Sequence, residues 1–498
     1  MSDSTSNSKQ AMWVAIGQFL SYAIGIVTPM ILSRYFDKGD YGTYKQVMYV
    51  YSTLLTVFTF GLPRAYSYFI PRVSIGESKD VVRKITGIFI VLGLVFSGIL
   101  FFGAHFISVI LKNPDLELAL KIFSPTPLLL LPVMGLDSIM AAYKKTQFIA
   151  VYSVSTKILT IVLIIVPVLL FNGTYIHALI GFDIASLISF LLALYLRNLP
   201  TRDVALEKTA VTVKEIFLFS LPLMTASIWI MIFNSANQFF VSRYYGNETF
   251  AEFSNGFIEF PIIPMVVSSV ATVLLPLFSG LAVHDKERIK VVWTNALTKT
   301  VKLIYPMSVF CVFFASIIMS CFFGKQYDNS GIYFVIKSIE GFFTVIPFYP
   351  ILLALNKTNQ YSNVHLVMAF VIIPLEYLVV LLGFPPFMIG VVYVMCSFMK
   401  VVLQYIIVSK ATNMNAAEMI PFRTVLKVSL LASLAAVVPF IVVRVYGGLN
   451  HFVLLSIAVV LYGICYYLVC WVGNLTYKDI LSGYLENSRF NRLIKYVP

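Results

Sequence analysis

Charge is what this chain has least of: only 12% of its 498 residues are Asp, Glu, Lys or Arg, against 59% hydrophobic. An ordinary soluble domain is thereby excluded, since about a quarter of such a domain is charged. Acids are scarcer than bases, 23 Asp+Glu against 36 Lys+Arg, for a net charge of +13. No soluble basic stretch houses that excess, which argues against nucleic acid as a partner. The five cysteines, Cys311, Cys321, Cys396, Cys465 and Cys470, all fall in apolar stretches with no redox or metal spacing. The five histidines are scattered, so no metal is expected. A nucleotide-binding Gly-rich loop and a nucleophile elbow are also missing. Neither ATP-driven work nor enzymatic chemistry is expected, and no cofactor.

What is present is apolar length. Crossing a bilayer takes about 20 apolar residues, and fourteen segments qualify: 11–32, 46–63, 85–111, 118–143, 147–171, 175–196, 215–240, 252–278, 291–323, 331–354, 360–382, 386–409, 424–443 and 452–472. The runs are continuous rather than alternating, which excludes a transmembrane β-barrel. The first is too long for a signal-peptide core and no small-x-small site follows it, so it reads as a retained helix. With both termini in the cytoplasm, nearly all of the net +13 lies on the inner loops and tails, as positive-inside topology requires. The inner loops Arg64–Lys84, Arg197–Lys214 and Asp285–Lys290 and the tail Lys478–Lys495 are expected to face anionic lipid.

Two stretches 209 positions apart share local text, "ILSRYFDKGDYGTYK" (Ile31–Lys45) and "FVSRYYGNETFAEFS" (Phe240–Ser254). Ser33, Arg34 and Tyr35 fall on Ser242, Arg243 and Tyr244. Six segments separate the copies, and an even number restores orientation, so the halves are parallel repeats. The expected organisation is a six-helix lobe over 1–197, a cytoplasmic linker over 198–214, a second six-helix lobe over 215–410, two extra helices over 411–473 and a cytoplasmic tail over 474–498.

Polar positions in the first helix of each lobe obey the same offset. Gln18, Ser21, Tyr22, Gly25 and Thr28 share one face of segment 1; Ser227, Met231, Asn234 and Asn237 share one face of segment 7. Polar faces turn away from lipid, either to line a wet cavity or to pack helix on helix. Prolines in segments 4, 7, 8 and 10, among them Pro132, Pro222, Pro264 and Pro350, predict kinks.

Ten ionisable residues lie inside segments: Asp137, Lys157, Asp183, Glu259, Lys299, Lys302, Lys337, Glu340, Glu376 and Lys400. At roughly 2.5–3.5 kcal/mol each, unpaired charges would together cost about 30 kcal/mol, more than the roughly 5–15 kcal/mol by which proteins are stable. They must pair, snorkel or face water. Lys299 and Lys302 sit near the inner end of segment 9. Lys337 and Glu340 are spaced for an ion pair within one helix, with Glu376 at similar depth. Asp137 and Lys157 are matched in depth on consecutive helices. Asp183, Glu259 and Lys400 are the least explained by these rules, and an acidic member of the set is a candidate site for H⁺ or Na⁺. Arg34 and Arg243 end the first helix of each lobe. Arg64, at the inner end of segment 2, can hold a phosphate in bidentate fashion or serve as an interfacial anchor.

Fourteen helices in a 6+6+2 plan, with "SRYFDKGDYGTYKQ" after helix 1 and a degenerate copy after helix 7, resemble the Wzx-type flippases of the polysaccharide transporter branch of the MOP exporter superfamily. The resemblance covers essentially the whole chain. It implies an all-α, V-shaped transporter in the bacterial inner membrane. It further implies passage of an undecaprenyl-diphosphate-linked oligosaccharide from the cytoplasmic to the periplasmic leaflet through a cationic cavity, for O-antigen, capsule or exopolysaccharide synthesis. A polysaccharide polymerase and a chain-length regulator are the implied partners. Carried over, the cavity candidates are Gln18, Thr28, Arg34 and Arg64 on helices 1–2, and Ser227, Asn234, Asn237, Arg243, Asn255 and Glu259 on helices 7–8. Relatives often carry an acid near position 237, which is Asn here. A cation-coupled drug antiporter, with twelve helices, and a lipid II flippase, with a denser basic set, are the alternatives on the same architecture. A membrane enzyme acting on lipid-linked sugars would carry a long outer loop, which is lacking.

Overall fold

The computed structural model describes residues 24–280, 286–345 and 347–480. Its regular elements are all helical: α1 Val27–Tyr35, α2 Lys38–Phe58, α3 Leu62–Phe69, α4 Ile75–Phe102, α5 Ala104–Leu111, α6 Asp115–Phe123, α7 Pro125–Leu130, α8 Leu136–Ala142, α9 Gln147–Leu170, α10 Tyr175–Asn198, α11 Val213–Gly256, α12 Ile262–Gly280, α13 Lys286–Phe313, α14 Ala315–Phe323, α15 Ser330–Glu340, α16 Tyr349–Ala354, α17 Thr358–Leu381, α18 Phe387–Thr412, α19 Phe422–Val445 and α20 His451–Val472. Eleven helical spans among the described residues are long and apolar enough to cross a membrane. They correspond to expected segments 3–9 and 11–14. Of the other three, segment 1 falls partly outside the described residues. Segment 2 is amphipathic and stops at Phe60 and Gly61, whose φ angles are 54° and 69°. Segment 10 is broken into α15 and α16.

The prolines explain the breaks. Pro125 and Pro127 open α7 and Pro350 opens α16, so segments 4 and 10 are interrupted rather than merely kinked. Under the 209-residue offset the 131–135 break of segment 4 falls on 340–344 of segment 10. Both halves thus interrupt the corresponding helix. At one proline inside a helix, the orphaned carbonyl finds another donor. Pro306 in α13 leaves the Lys302 carbonyl without its amide, and the Tyr477 hydroxyl donates to that oxygen at 2.7 Å.

The chain forms two compact units, Met1–Ala251 and Glu252–Pro498. In the first, α2, α4 and α6 meet around an aromatic core. Tyr51 lies 5.8 Å from Phe96 and 5.2 Å from Phe123, each contact adding about 0.5–1.5 kcal/mol beyond burial. The linker ahead of α11 is strapped to the start of α4. The Lys79 ammonium donates to the Thr201 and Val204 carbonyls, and that of Lys84 to Thr209 and Val211. Asp80 pairs with Lys84 at 2.9 Å and accepts from the Thr209 amide. Most of α11 belongs with this first unit.

In the second unit the core centres on Trp293 of α13. Its indole N–H donates to the Met419 carbonyl at 3.2 Å, and its ring meets Phe348 and Tyr405. The hairpin α19–α20 packs on α13, with the Tyr462 hydroxyl donating to the Pro306 carbonyl. Its outer faces stay apolar and exposed, for example Leu430, Leu434, Ile441, Val459 and Leu468. That is the surface a lipid-facing helix presents.

Candidate transport site

In the first unit Thr28 is buried on α1 and Arg34 is exposed at its end; Gln18 lies outside the described residues. Arg64 sits on α3, a short helix that follows the break at Gly61. Its guanidinium is exposed and makes no hydrogen bond or ion pair among the described residues. Nearby, Arg72 stacks on the Tyr68 ring at 3.4 Å, and Tyr68 stacks on Phe219 of α11 at 4.4 Å.

The polar face expected on segment 7 divides. Asn234 is exposed; Ser227 returns its hydroxyl to the Leu223 carbonyl; Asn237 is buried and accepts from the Gln238 amide at 2.6 Å. Arg243 donates to the Ile110 carbonyl and lies 5.4 Å from the Tyr244 ring, so it is engaged in packing. Asn255 and Glu259 belong to the second unit. Asn255 is fully buried, and Glu259 is exposed in the non-helical stretch 257–261 ahead of α12.

The intramembrane charges sort by partner. Lys337 and Glu340 form the expected ion pair on α15. The other Glu340 oxygen accepts from the Ser397 hydroxyl of α18 at 2.5 Å, and the ammonium lies 4.7 Å from the Tyr393 ring and 5.3 Å from the Phe257 ring. Glu259 and Lys400 are near enough to act on this pair electrostatically. Lys302 is buried in an ion pair with Asp479 at 2.9 Å and also donates to the Thr476 carbonyl. Asp183 accepts from the Thr126 hydroxyl.

Three expectations are corrected. Asp137 and Lys157 make no ion pair with each other; both are exposed, because equal depth does not set the direction in which a side chain leaves its helix. Glu376 does not join the Lys337 pair. It is fully buried on α17, and its two oxygens have no hydrogen-bond partner among the described residues. Arg197, expected in a lipid-facing loop, turns inward and donates to the Thr86 hydroxyl at 2.8 Å, which also meets the Tyr66 hydroxyl.

Sequence reasoning missed one assembly altogether. Asn113, between α5 and α6, donates to Thr43 at 2.9 Å and to Gln46 at 2.6 Å; Gln46 in turn donates to Ser242 at 2.8 Å. Only Thr43 and Ser242 lie inside the repeated text; nothing in the sequence marked Asn113.

This arrangement of long spans, interrupted helices and buried membrane charge is that of a multi-pass membrane protein with a MOP-superfamily transporter fold. Several solved structures share it. A lipid II flippase MurJ in an inward closed conformation matches with TM-score 0.71 and 16% identity over 92% of this chain and 99% of that one. A MATE-family multidrug resistance transporter, inward-facing, matches with TM-score 0.63 and 12% identity over 79% and 96%. A MOP superfamily transporter from Pyrococcus furiosus matches with TM-score 0.56 and 13% identity over 82% and 96%. The chain belongs to the polysaccharide biosynthesis protein family, whose model matches residues 8–282. Among curated proteins, none matches the sequence.

Proposed function

We propose that this protein flips undecaprenyl-diphosphate-linked oligosaccharide units from the cytoplasmic to the periplasmic leaflet of the bacterial inner membrane, by alternating access. The observation that carries the reading is the family match over residues 8–282 on a transporter fold. A glycan-synthesis family on such a fold needs a cargo that is both a sugar and unable to cross hydrocarbon alone. Arg64 supports the anionic part of that cargo, since an exposed guanidinium with no partner among the described residues is suited to a diphosphate. No covalent step is needed. The cycle is biased by an ion gradient, H⁺ or Na⁺, or by consumption of the product by a polysaccharide polymerase and chain-length regulator, rather than by ATP. Anionic lipid faces the basic inner loops.

The test is deletion of the gene in its host, with mass spectrometry of lipid-linked oligosaccharides and assay of the surface glycan. Loss of the glycan with accumulation of an undecaprenyl-diphosphate unit supports the reading and identifies the sugar. An intact glycan without accumulation overturns it and favours a drug antiporter of the same superfamily. Accumulation of lipid II instead would assign the cargo to that pathway.

A further inference from the structure

The repeated text lies where the first unit is tied together by buried polar groups. Ser242 of the second copy meets Gln46, one residue beyond the first copy, with Asn113 completing the set. Gln46, Thr43, Asn113 and Ser242 are each 5% exposed or less. Gln46 and its repeat mate, Asn255, are both fully buried amides. The seam lies between α2 and α11, at the end of the unit away from the linker. Farther along the same two helices, the Tyr49 hydroxyl donates to the Ser235 carbonyl and Thr53 meets the Ser235 hydroxyl.

The chemistry distinguishes this seam from permanent packing. An apolar contact loses its whole stabilisation when water enters. A hydrogen-bonded contact exchanges its partners for water at small net cost. A joint that must open to water and close again is therefore well built from hydroxyls and amides satisfied by one another.

Two glycines fit the same device. A Cβ on Gly42 would lie 2.2 Å from the Asn247 carbonyl oxygen, so the backbones close to contact. Gly246, with φ 84° and ψ 168°, interrupts α11 immediately before Asn247. A Cβ there would meet nothing within 4 Å, so the residue serves a backbone conformation rather than close packing. That is a hinge position beside the joint.

We propose that the Thr43–Gln46–Asn113–Ser242 seam is a reversible latch on the outer side of the transport path, released once per cycle as α11 bends at Gly246. The proposal rests on the alternating-access reading above. It gives a role to the serine inside the second copy, Ser242, and to the amide directly after the first, Gln46.

Two measurements on the full-length protein in native membranes test it, both in a background without the native cysteines. Ser242→Cys should react slowly with a membrane-impermeant maleimide, and adding Gln46→Ala should speed the reaction by about tenfold, because one partner of a buried bond has been removed. No reaction at Ser242→Cys in protein that still supports glycan synthesis would show a static seam and overturn the latch. In the second, Gln46→Cys with Ser242→Cys is bridged by a short bis-methanethiosulfonate. Glycan export should stop and return on reduction; undiminished export at near-complete bridging would overturn the proposal. The labelling arm needs no knowledge of the cargo. If gene deletion leaves the glycan intact while labelling responds as expected, it is the cargo assignment that fails.

Discussion

Replacing Glu340 by alanine removes the sole carboxylate in direct contact with Lys337 among the described residues, at a site where the two side chains are 6% and 12% exposed. The truncation removes the ion pair and the Ser397 hydrogen bond together. It leaves an ammonium facing two aromatic rings, which offer about 0.5–2 kcal/mol of cation–π attraction, less than a buried ion pair demands. Breaking such a pair on one side costs about 3–5 kcal/mol, a large part of a total stability of roughly 5–15 kcal/mol. Glu340→Ala should therefore lower the thermal midpoint of the detergent-solubilised protein sharply and reduce its folded yield. The double variant Lys337→Met/Glu340→Leu removes both charges and should recover most of the loss, since uncharged replacements of buried pairs are often neutral. Size-exclusion monodispersity and a thermal-shift assay read both variants. A Glu340→Ala protein as stable as the parent would refute the assignment of this pair as a desolvated structural joint. A double variant that is stable yet fails to restore the glycan would show that the charges take part in transport.

Other outcomes follow from the same geometry. Arg64→Ala should insert normally yet lower glycan output in a complemented deletion strain, because the exposed guanidinium holds nothing in place among the described residues; undiminished output removes it from the site. Asn234→Cys should label rapidly with a water-soluble thiol reagent and Asn237→Cys slowly, one being exposed and the other 2% exposed; equal rates would contradict the division of that helix face. Burial, then the neighbouring Asp37 and Asp115, push the Asp40 carboxyl above its usual value of 3.8. A raised carboxyl favours the fold while protonated and loses that contribution as pH rises through its folded value. Asp40→Asn should therefore raise the thermal midpoint at neutral pH and make little difference near pH 3.8; a lowered midpoint at neutral pH would contradict this.

The apolar periodicity exposed the spans and the duplicated text exposed the repeat, because both are written locally. So is the Lys337–Glu340 pair, whose spacing of three lies on one helix. Partners distant in the chain were not legible. Lys302 meets Asp479 across 177 positions and Gln46 meets Ser242 across 196. Asp137 and Lys157 show the converse failure: hydrophobic profiles report depth but not the angle about the helix axis. The break in segment 10 was marked by Pro347 and Pro350, but where the chain resumes as α16 depends on packing around Trp293. At the candidate site, residue types mark polar positions but not their surroundings. Which stayed exposed and which were buried, as with Asn234 and Asn237, required neighbours.

The lysine straps at the start of α4 carry a consequence for biogenesis. Lys79 waits for the carbonyl of Thr201, 122 residues later in the chain, and Lys84 for that of Val211, 127 later. At about 5–20 residues per second of synthesis, roughly 6–25 seconds pass before these acceptors exist. Throughout that interval the start of α4 holds two ammonium groups with those bonds unmade. The linker is thus a late clasp, closing only after α10 has been made, and the order of translation is written into which bonds the first unit can have at each moment.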